Sequence, residues 1–291
     1  VKYFYWTLVI LLWIATVLKY IFKIQNAVLA YLDFNIIFLG SLILLERVVP
    51  YRKIPLLRSG ILSDYGFYNL IQEQVISIFI IASLSGFVKS YHLFNITGWP
   101  FWSQVILLLV IEDFAGYWYH RWAHKSFYWS IHEVHHSSID VDWLSGVRNH
   151  IIESAAPVTI NAFAFFLFFG DIRIAEIAGA LVTFHGIYEH SNVKHKLGWL
   201  QYIILSAEMH RCHHLSDKRF QSTNYGLIFS VWDWIFGTGY YPREEDYKDI
   251  PFGTDPNYPQ NFIQAHIHSF RKMEERRNAK AERKELALKT Q

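Results

Sequence analysis

Six long apolar runs, separated by short charged segments, occupy most of residues 3–184 and restrict this chain more than any other feature. They lie at 3–18, 28–45, 75–88, 96–111, 154–170 and 174–184; Asp33 and Glu176 are the only charged residues within them. A membrane-spanning helix needs roughly 20 mostly apolar residues, about 17–25 in range. Each run sits at or below that limit, and flanking residues such as Tyr20, Trp99 and Trp118 supply interfacial anchors. Charged residues make up only 18% of the chain, against about 25% in ordinary soluble domains, so a soluble bundle would lack the polar surface to cover six such runs. No small-residue cleavage site follows 3–18 before Lys19, so that run reads as a span rather than a signal peptide. The expected fold is all-α, an integral membrane helical bundle of about four to six membrane helices. It reads as one membrane-embedded domain, with N-terminal membrane helices over 1–100, a chemistry-bearing region over 101–245 and a charged tail over 265–291.

Basic residues orient the chain. Arg47, Arg52, Lys53 and Arg58 follow the second run, and Arg121, Lys125 and Arg148 follow the fourth. The other side receives Lys19, Lys23, Lys89 and Arg173. Cytoplasmic loops carry the Lys/Arg excess, so the segments after runs two and four are expected in the cytoplasm. A formal net charge of +2 gives no support to nucleic-acid binding, which usually needs a strongly basic face. A single cysteine, Cys212, excludes a disulfide framework and a thiolate-based metal site.

Twelve of the fifteen histidines fall between His120 and His214, about a third of the chain. Eight of them form three short motifs: His120-x3-His124, His132-x2-His135-His136 and His210-x2-His213-His214. Residues three and four apart share a helix face, so each motif is expected to present its imidazoles to one point. Imidazole suits zinc, copper, iron and nickel. Eight histidines exceed what one metal ion uses, which predicts two ions able to share one small substrate. His190, closing the last apolar run, is expected to return toward the metals. His185 is undecided, and His150 is a candidate for a substrate contact or an outer partner. Asp113, two turns ahead of His120, is expected to accept the second N–H of a ligand imidazole, and Glu153 and Glu133 are further candidates for that role. Cys212 lies one residue off the shared face and is not expected to ligate.

The three motifs, in this order, resemble those of the membrane fatty acid hydroxylase and sterol desaturase superfamily. The segment Asp113-Phe-Ala-Gly-Tyr117-Trp118-Tyr-His120-Arg121 is similar to the lead into its first motif. Asn224-Tyr225-Gly226 and Trp232-Asp233-Trp234-Ile-Phe236-Gly237-Thr238 are similar to the stretch after its last. The likeness covers roughly residues 35–245. It implies a membrane enzyme with a cytoplasmic-side, histidine-rich helical cap, holding two non-haem irons and using O2 to hydroxylate or desaturate a lipid. The implied ligands are His120, His124, His132, His135, His136, His190, His210, His213 and His214. In fatty acid hydroxylases the segment near His190 tends to carry a His-x3-His pair; here His185 is one residue out of that register.

No Gly-x-Gly-x-x-Gly fingerprint follows a strand pattern, so a separate electron-transfer partner or a diffusible reductant is expected. Histidine alone does not separate iron from zinc, and a dizinc membrane hydrolase remains a rival class. A membrane metal carrier would place its ligands near mid-span; here they flank the apolar runs among Arg and Trp.

Overall fold

The computed structural model describes residues 27–73, 75–76, 79, 94–125, 127–168 and 172–289. The apolar run at 3–18 lies outside the described residues, as does nearly all of 75–88. The described chain is helical, and its extended pairing is limited to isolated bridges such as Ile204 with Phe229. Helix α1 covers Ala27–Val48 and stops ahead of Pro50. Helix α2 is Phe101–Ala123, entered through Pro100, where the fixed φ of proline suits a helix start. A single turn, α3, covers Trp129–His132. Helices α4 (Ile151–Phe168) and α5 (Ile172–Glu189) follow, then the short α6 (Ala207–His213) and the long α7 (Phe262–Lys289). The apolar runs at 28–45, 96–111, 154–170 and 174–184 thus fall largely within α1, α2, α4 and α5. Among the described residues no helix is long and apolar enough to cross a membrane.

Helices α2, α4 and α5 pack on one another. Their shared core holds Val105 and Leu108 of α2, Ala164 and Phe165 of α4, and Ile174, Ala175 and Ala178 of α5. The three alanines let the helix backbones come close. The buried positions of α2 continue from Val105 and Leu108 through Glu112, Asp113, Gly116, Tyr117 and His120 at helical spacing. One face of one helix therefore passes from an apolar core at its start to polar chemistry at its end.

The opposite face of α2 exposes Trp102, Ile106, Phe114, Trp118 and Trp122, all large and apolar. Helix α7 packs on α3, where Ser269 donates to the Ser130 carbonyl at 2.6 Å.

A buried ion network ties the sequence-distant parts together. Arg58 makes a two-pronged contact with Asp142 (2.7 and 2.6 Å) and reaches Asp64 at 2.8 Å. Arg148 grips Asp64 from the other side at 2.7 and 3.1 Å and donates to Gln260 at 2.5 Å. Two arginines and two aspartates balance in charge, the condition under which such groups tolerate burial.

Candidate metal centre

The C-terminal end of α2, the turn α3 with the 3-10 turn His135–Ser137 behind it, the end of α5 and the whole of α6 converge. Nine histidines meet there, in two groups. His120, His124, His132, His136 and His213 form one; His135, His190, His210 and His214 form the other. Within each group the potential ligand nitrogens lie within 4.8 Å of one another. Apart from His124, which is half-buried, all nine are buried.

The three-residue motifs do not point to one place each, as their spacing suggested. His132 and His136 serve the first group, while His135 between them turns to the second. His210 and His214 serve the second, while His213 turns to the first. An α-helix advances about 100° per residue, so residues four apart nearly superpose while adjacent residues diverge. Along α6 and its C-cap the i,i+4 pair His210 and His214 therefore keeps one target while His213 reaches the neighbouring one, and the 3-10 turn after α3 divides His132, His135 and His136 in the same way.

Nitrogen separations indicate what the groups are built to hold. His190 Nε2 stands 3.1 Å from the Nε2 atoms of His135, His210 and His214, and His214 Nε2 stands 3.1 Å from that of His210. In the first group, His213 Nε2 lies 3.0 Å from His120 Nε2. Hydrogen bonds cannot satisfy the trio of His190, His210 and His214. A ring nitrogen either donates or accepts, so among three mutually close nitrogens at least two must be alike and repel. A shared cation removes the conflict. With metal–nitrogen bonds of about 2.1 Å, ligands at right angles stand about 3.0 Å apart and tetrahedral ones about 3.4 Å. In addition, Nε2 of His124, His132 and His136 is buried without a hydrogen-bond partner. Two first-row metal ions fit this donor set.

The opposite edge of four of the nine rings is fixed by the backbone. Nδ1 of His120 meets the Tyr225 carbonyl (3.0 Å), that of His135 the Arg148 carbonyl (3.2 Å), that of His190 the Gly186 carbonyl (2.6 Å) and that of His213 the Thr223 carbonyl (2.7 Å). A carbonyl accepts only, so each Nδ1 carries the proton and each Nε2 offers a lone pair to the centre. His132 Nδ1 donates instead to Glu153 of α4. Gly146 leaves room for the His190 pairing: a Cβ there would stand 2.8 Å from His190 Nδ1. Burial, reinforced by neighbouring imidazoles, holds His120, His124, His135, His136, His210 and His214 well below the ordinary imidazole range. Burial likewise pushes His190 down to about 4 and His213 to about 3. Neutral rings are the form that binds metal.

Removing Glu153, the side-chain partner of His132, should loosen the first group. Glu153→Ala is expected to weaken metal retention by about 10–100-fold in competition with a soluble chelator. Glu153→Gln, whose amide oxygen still accepts from Nδ1, is expected to recover most of that loss. Wild-type retention in the alanine variant would remove Glu153 from the support of the centre.

Other expected residues lie elsewhere. Asp113 shares the His120 face of α2, but its carboxylate accepts from the backbone N–H groups of Ile228 (2.5 Å) and Phe229 and from Trp232 Nε1 (2.7 Å). It clamps the 225–232 loop over α2, and this loop carries the Tyr225 carbonyl that fixes His120. Asp233 secures the same loop, accepting from the N–H groups of Tyr225 (2.7 Å) and Gly226 (2.9 Å). His185 joins neither group; its Nε2 donates to the Leu205 carbonyl at 3.0 Å, next to Ser206, the N-cap of α6. His150 also stands apart, its ring 4.6 Å from that of His266 on α7. Glu133 pairs with Lys272 of α7 at 3.0 Å. Cys212 is buried in an apolar cluster with Val141, Leu215 and Phe220. The carbonyl partners at 148, 186, 223 and 225 carry no side-chain signal and are not legible in the sequence.

Residues 105–238, which contain all nine histidines, match the family model described as fatty acid hydroxylase. The chain is similar to the ornithine lipid hydroxylase OlsE of Rhizobium tropici, with 29% identity over 75% of this chain and 70% of that protein. It is similar to methylsterol monooxygenase 2-1 of Arabidopsis thaliana, with 28% identity over 71% of this chain and 89% of the other. It is also similar to human alkylglycerol monooxygenase, with 27% identity over 52% of this chain. That match spans about a third of the human protein, 33% of its length. No solved structure matches the chain.

Proposed function

We propose that this chain, a member of the fatty acid hydroxylase superfamily through residues 105–238, is a membrane-bound non-haem di-iron oxygenase that uses O2 to hydroxylate or desaturate an unactivated C–H position of a lipid. The observation that carries the reading is the pair of convergent, neutral, all-imidazole groups, whose nitrogen spacing suits first-row metals. His120, His124, His132, His136 and His213 would hold one iron, and His135, His190, His210 and His214 the other. Two such irons supply the redox chemistry that reduces O2 in the presence of a donor.

Hydroxylation balances as R–H + O2 + 2 e⁻ + 2 H⁺ → R–OH + H2O. Desaturation consumes the same inputs, removes two hydrogens and releases two waters. The electrons come from an external donor, either a separate electron-transfer partner or a diffusible reductant. The chain's own part is positional. Backbone carbonyls and Glu153 orient five of the nine rings, the burial of eight of the nine histidines keeps bulk water out, and the half-buried His124 marks the open side.

A lipid substrate accords with an integral membrane location. On α2 the exposed residues Trp102, Ile106, Phe114, Trp118 and Trp122 recur every four or eight positions along one stripe, and large apolar patches of this kind mark membrane or partner surfaces. The apolar runs at 3–18 and 75–88 add to that reading, and the Lys/Arg distribution favours a cytoplasmic centre.

Full-length protein from iron-supplemented, zinc-poor growth is expected to contain about two irons per chain. Given O2, a reductant and a membrane lipid extract, it is expected to yield one lipid either gaining an oxygen atom or losing two hydrogens. Zinc in place of iron, together with O2-independent lipid turnover, would overturn the proposal.

A further inference from the structure

A cavity of about 940 Å³ opens beside the centre at His124, the least buried of the nine histidines. Its walls come from α7 on one side and the 216–222 segment after α6 on the other, with Trp129 of α3 between them. Five cationic side chains face it: Lys218, Arg276, Arg277, Lys280 and Arg283. The one carboxylate lining it, Glu133, is already engaged by Lys272 at 3.0 Å and by Arg276 at 3.5 Å. The cavity is thus strongly positive, and a concave, low-dielectric wall concentrates that field on whatever enters.

We propose that this cavity binds an oxyanion, the phosphate or carboxylate of a lipid headgroup, and so anchors the substrate with its reacting chain toward the histidine groups. That the oxyanion belongs to a lipid rests on the oxygenase reading above; the anion site itself rests on the charges and the cavity. Three observations favour a headgroup over an acidic protein. The volume suits a small molecule, the site is concave rather than flat, and it leads directly to His124. Arginine is suited to this task, because its planar fork matches carboxylate and phosphate oxygens. A second lysine- or arginine-rich face is not needed, since substrate positioning alone raises the effective concentration of the reacting chain at the metals.

The test is equilibrium binding to the purified, metal-loaded full chain, which needs no turnover. Dihexanoyl phosphatidic acid and its neutral counterpart dihexanoylglycerol are titrated alongside inorganic phosphate. The wild type is expected to bind the phosphatidic acid at least about tenfold more tightly than the neutral lipid, with the preference shrinking as salt rises. The double variant Lys280→Glu/Arg283→Glu, on exposed positions of α7, is expected to abolish the preference without changing metal content. Lys218→Glu, on the opposite wall, is expected to reduce it independently. Equal binding of charged and neutral lipid overturns the proposal, as does a preference that survives both sets of substitutions. Inorganic phosphate binding as tightly as the lipid would make the cavity a free-anion site and also overturn it. So would charge reversal that slows reduction by an acidic electron carrier but spares lipid binding. Selective phosphatidic acid binding by protein that oxidises no lipid would sink the oxygenase reading and leave this site standing.

Discussion

His190→Ala is expected to cut the metal content of the purified protein from about two ions per chain toward one and to abolish O2-dependent lipid oxidation. His190 is the hub of the four-histidine group, with its Nε2 3.1 Å from three other ligand nitrogens. Its removal leaves three imidazoles around one ion. The loss of affinity should exceed the roughly 10–100-fold that follows deletion of an outer partner. The control is His185→Ala, five residues earlier on α5. His185 is also partly enclosed, but it bonds to the Leu205 carbonyl and joins neither group, so this variant should keep both ions. Elution as a monodisperse species on size exclusion would show that His190→Ala still folds. Two ions retained in His190→Ala, or one lost in His185→Ala, would refute the assignment.

Arg148→Met is expected to be the most destabilising single substitution outside the centre. Its guanidinium is 1% exposed and bonds Asp64, whose own side chain is fully buried. Methionine fills much of the space but leaves a buried carboxylate facing Arg58 alone, with Arg58 already committed to Asp142. Breaking a buried pair from one side costs about 3–5 kcal/mol. Adding Asp64→Asn removes the unpaired charge, so the double variant should be more stable than Arg148→Met, a coupling that thermal unfolding in detergent would read. If the double variant unfolds at or below the single one, the charge-balance account fails. Because the Arg148 carbonyl also orients His135, the single variant should lose metal at lower chelator concentrations than wild type.

Local spacing made the clustering of the histidines legible and left their division between two groups obscure. Histidines at i, i+3 and i+4 gather imidazoles on one turn, and adjacent ones diverge by helix geometry, but which group each joins depends on where α5 and the 3-10 turn at His135 come to rest. Asp113 illustrates the same limit. Its position two turns before His120 correctly put it on that face of α2, yet its partners, two backbone N–H groups and the Trp232 indole, lie more than a hundred residues away. The Arg58–Asp142 and Arg148–Asp64 pairs each join residues 84 apart, so no sequence window contains both members. His150 looked like a candidate because it stands near the motifs, and α7, contributed from the far end of the chain, covers it instead. The helical class was readable for a different reason: long apolar runs between charged segments leave little else for the backbone to form.

The exchange of histidines between the two groups has a mechanical consequence. Adjacent residues, 135 and 136 in one place and 213 and 214 in the other, belong to opposite groups, so two separate peptide bonds tie the groups together. Neither breathing of the helices nor lipid pressing on the outer face of α2 changes the spacing of neighbouring Cα atoms, about 3.8 Å across a trans peptide. The covalent chain thus acts as a gauge block, setting the gap between the sites independently of the softer packing around them.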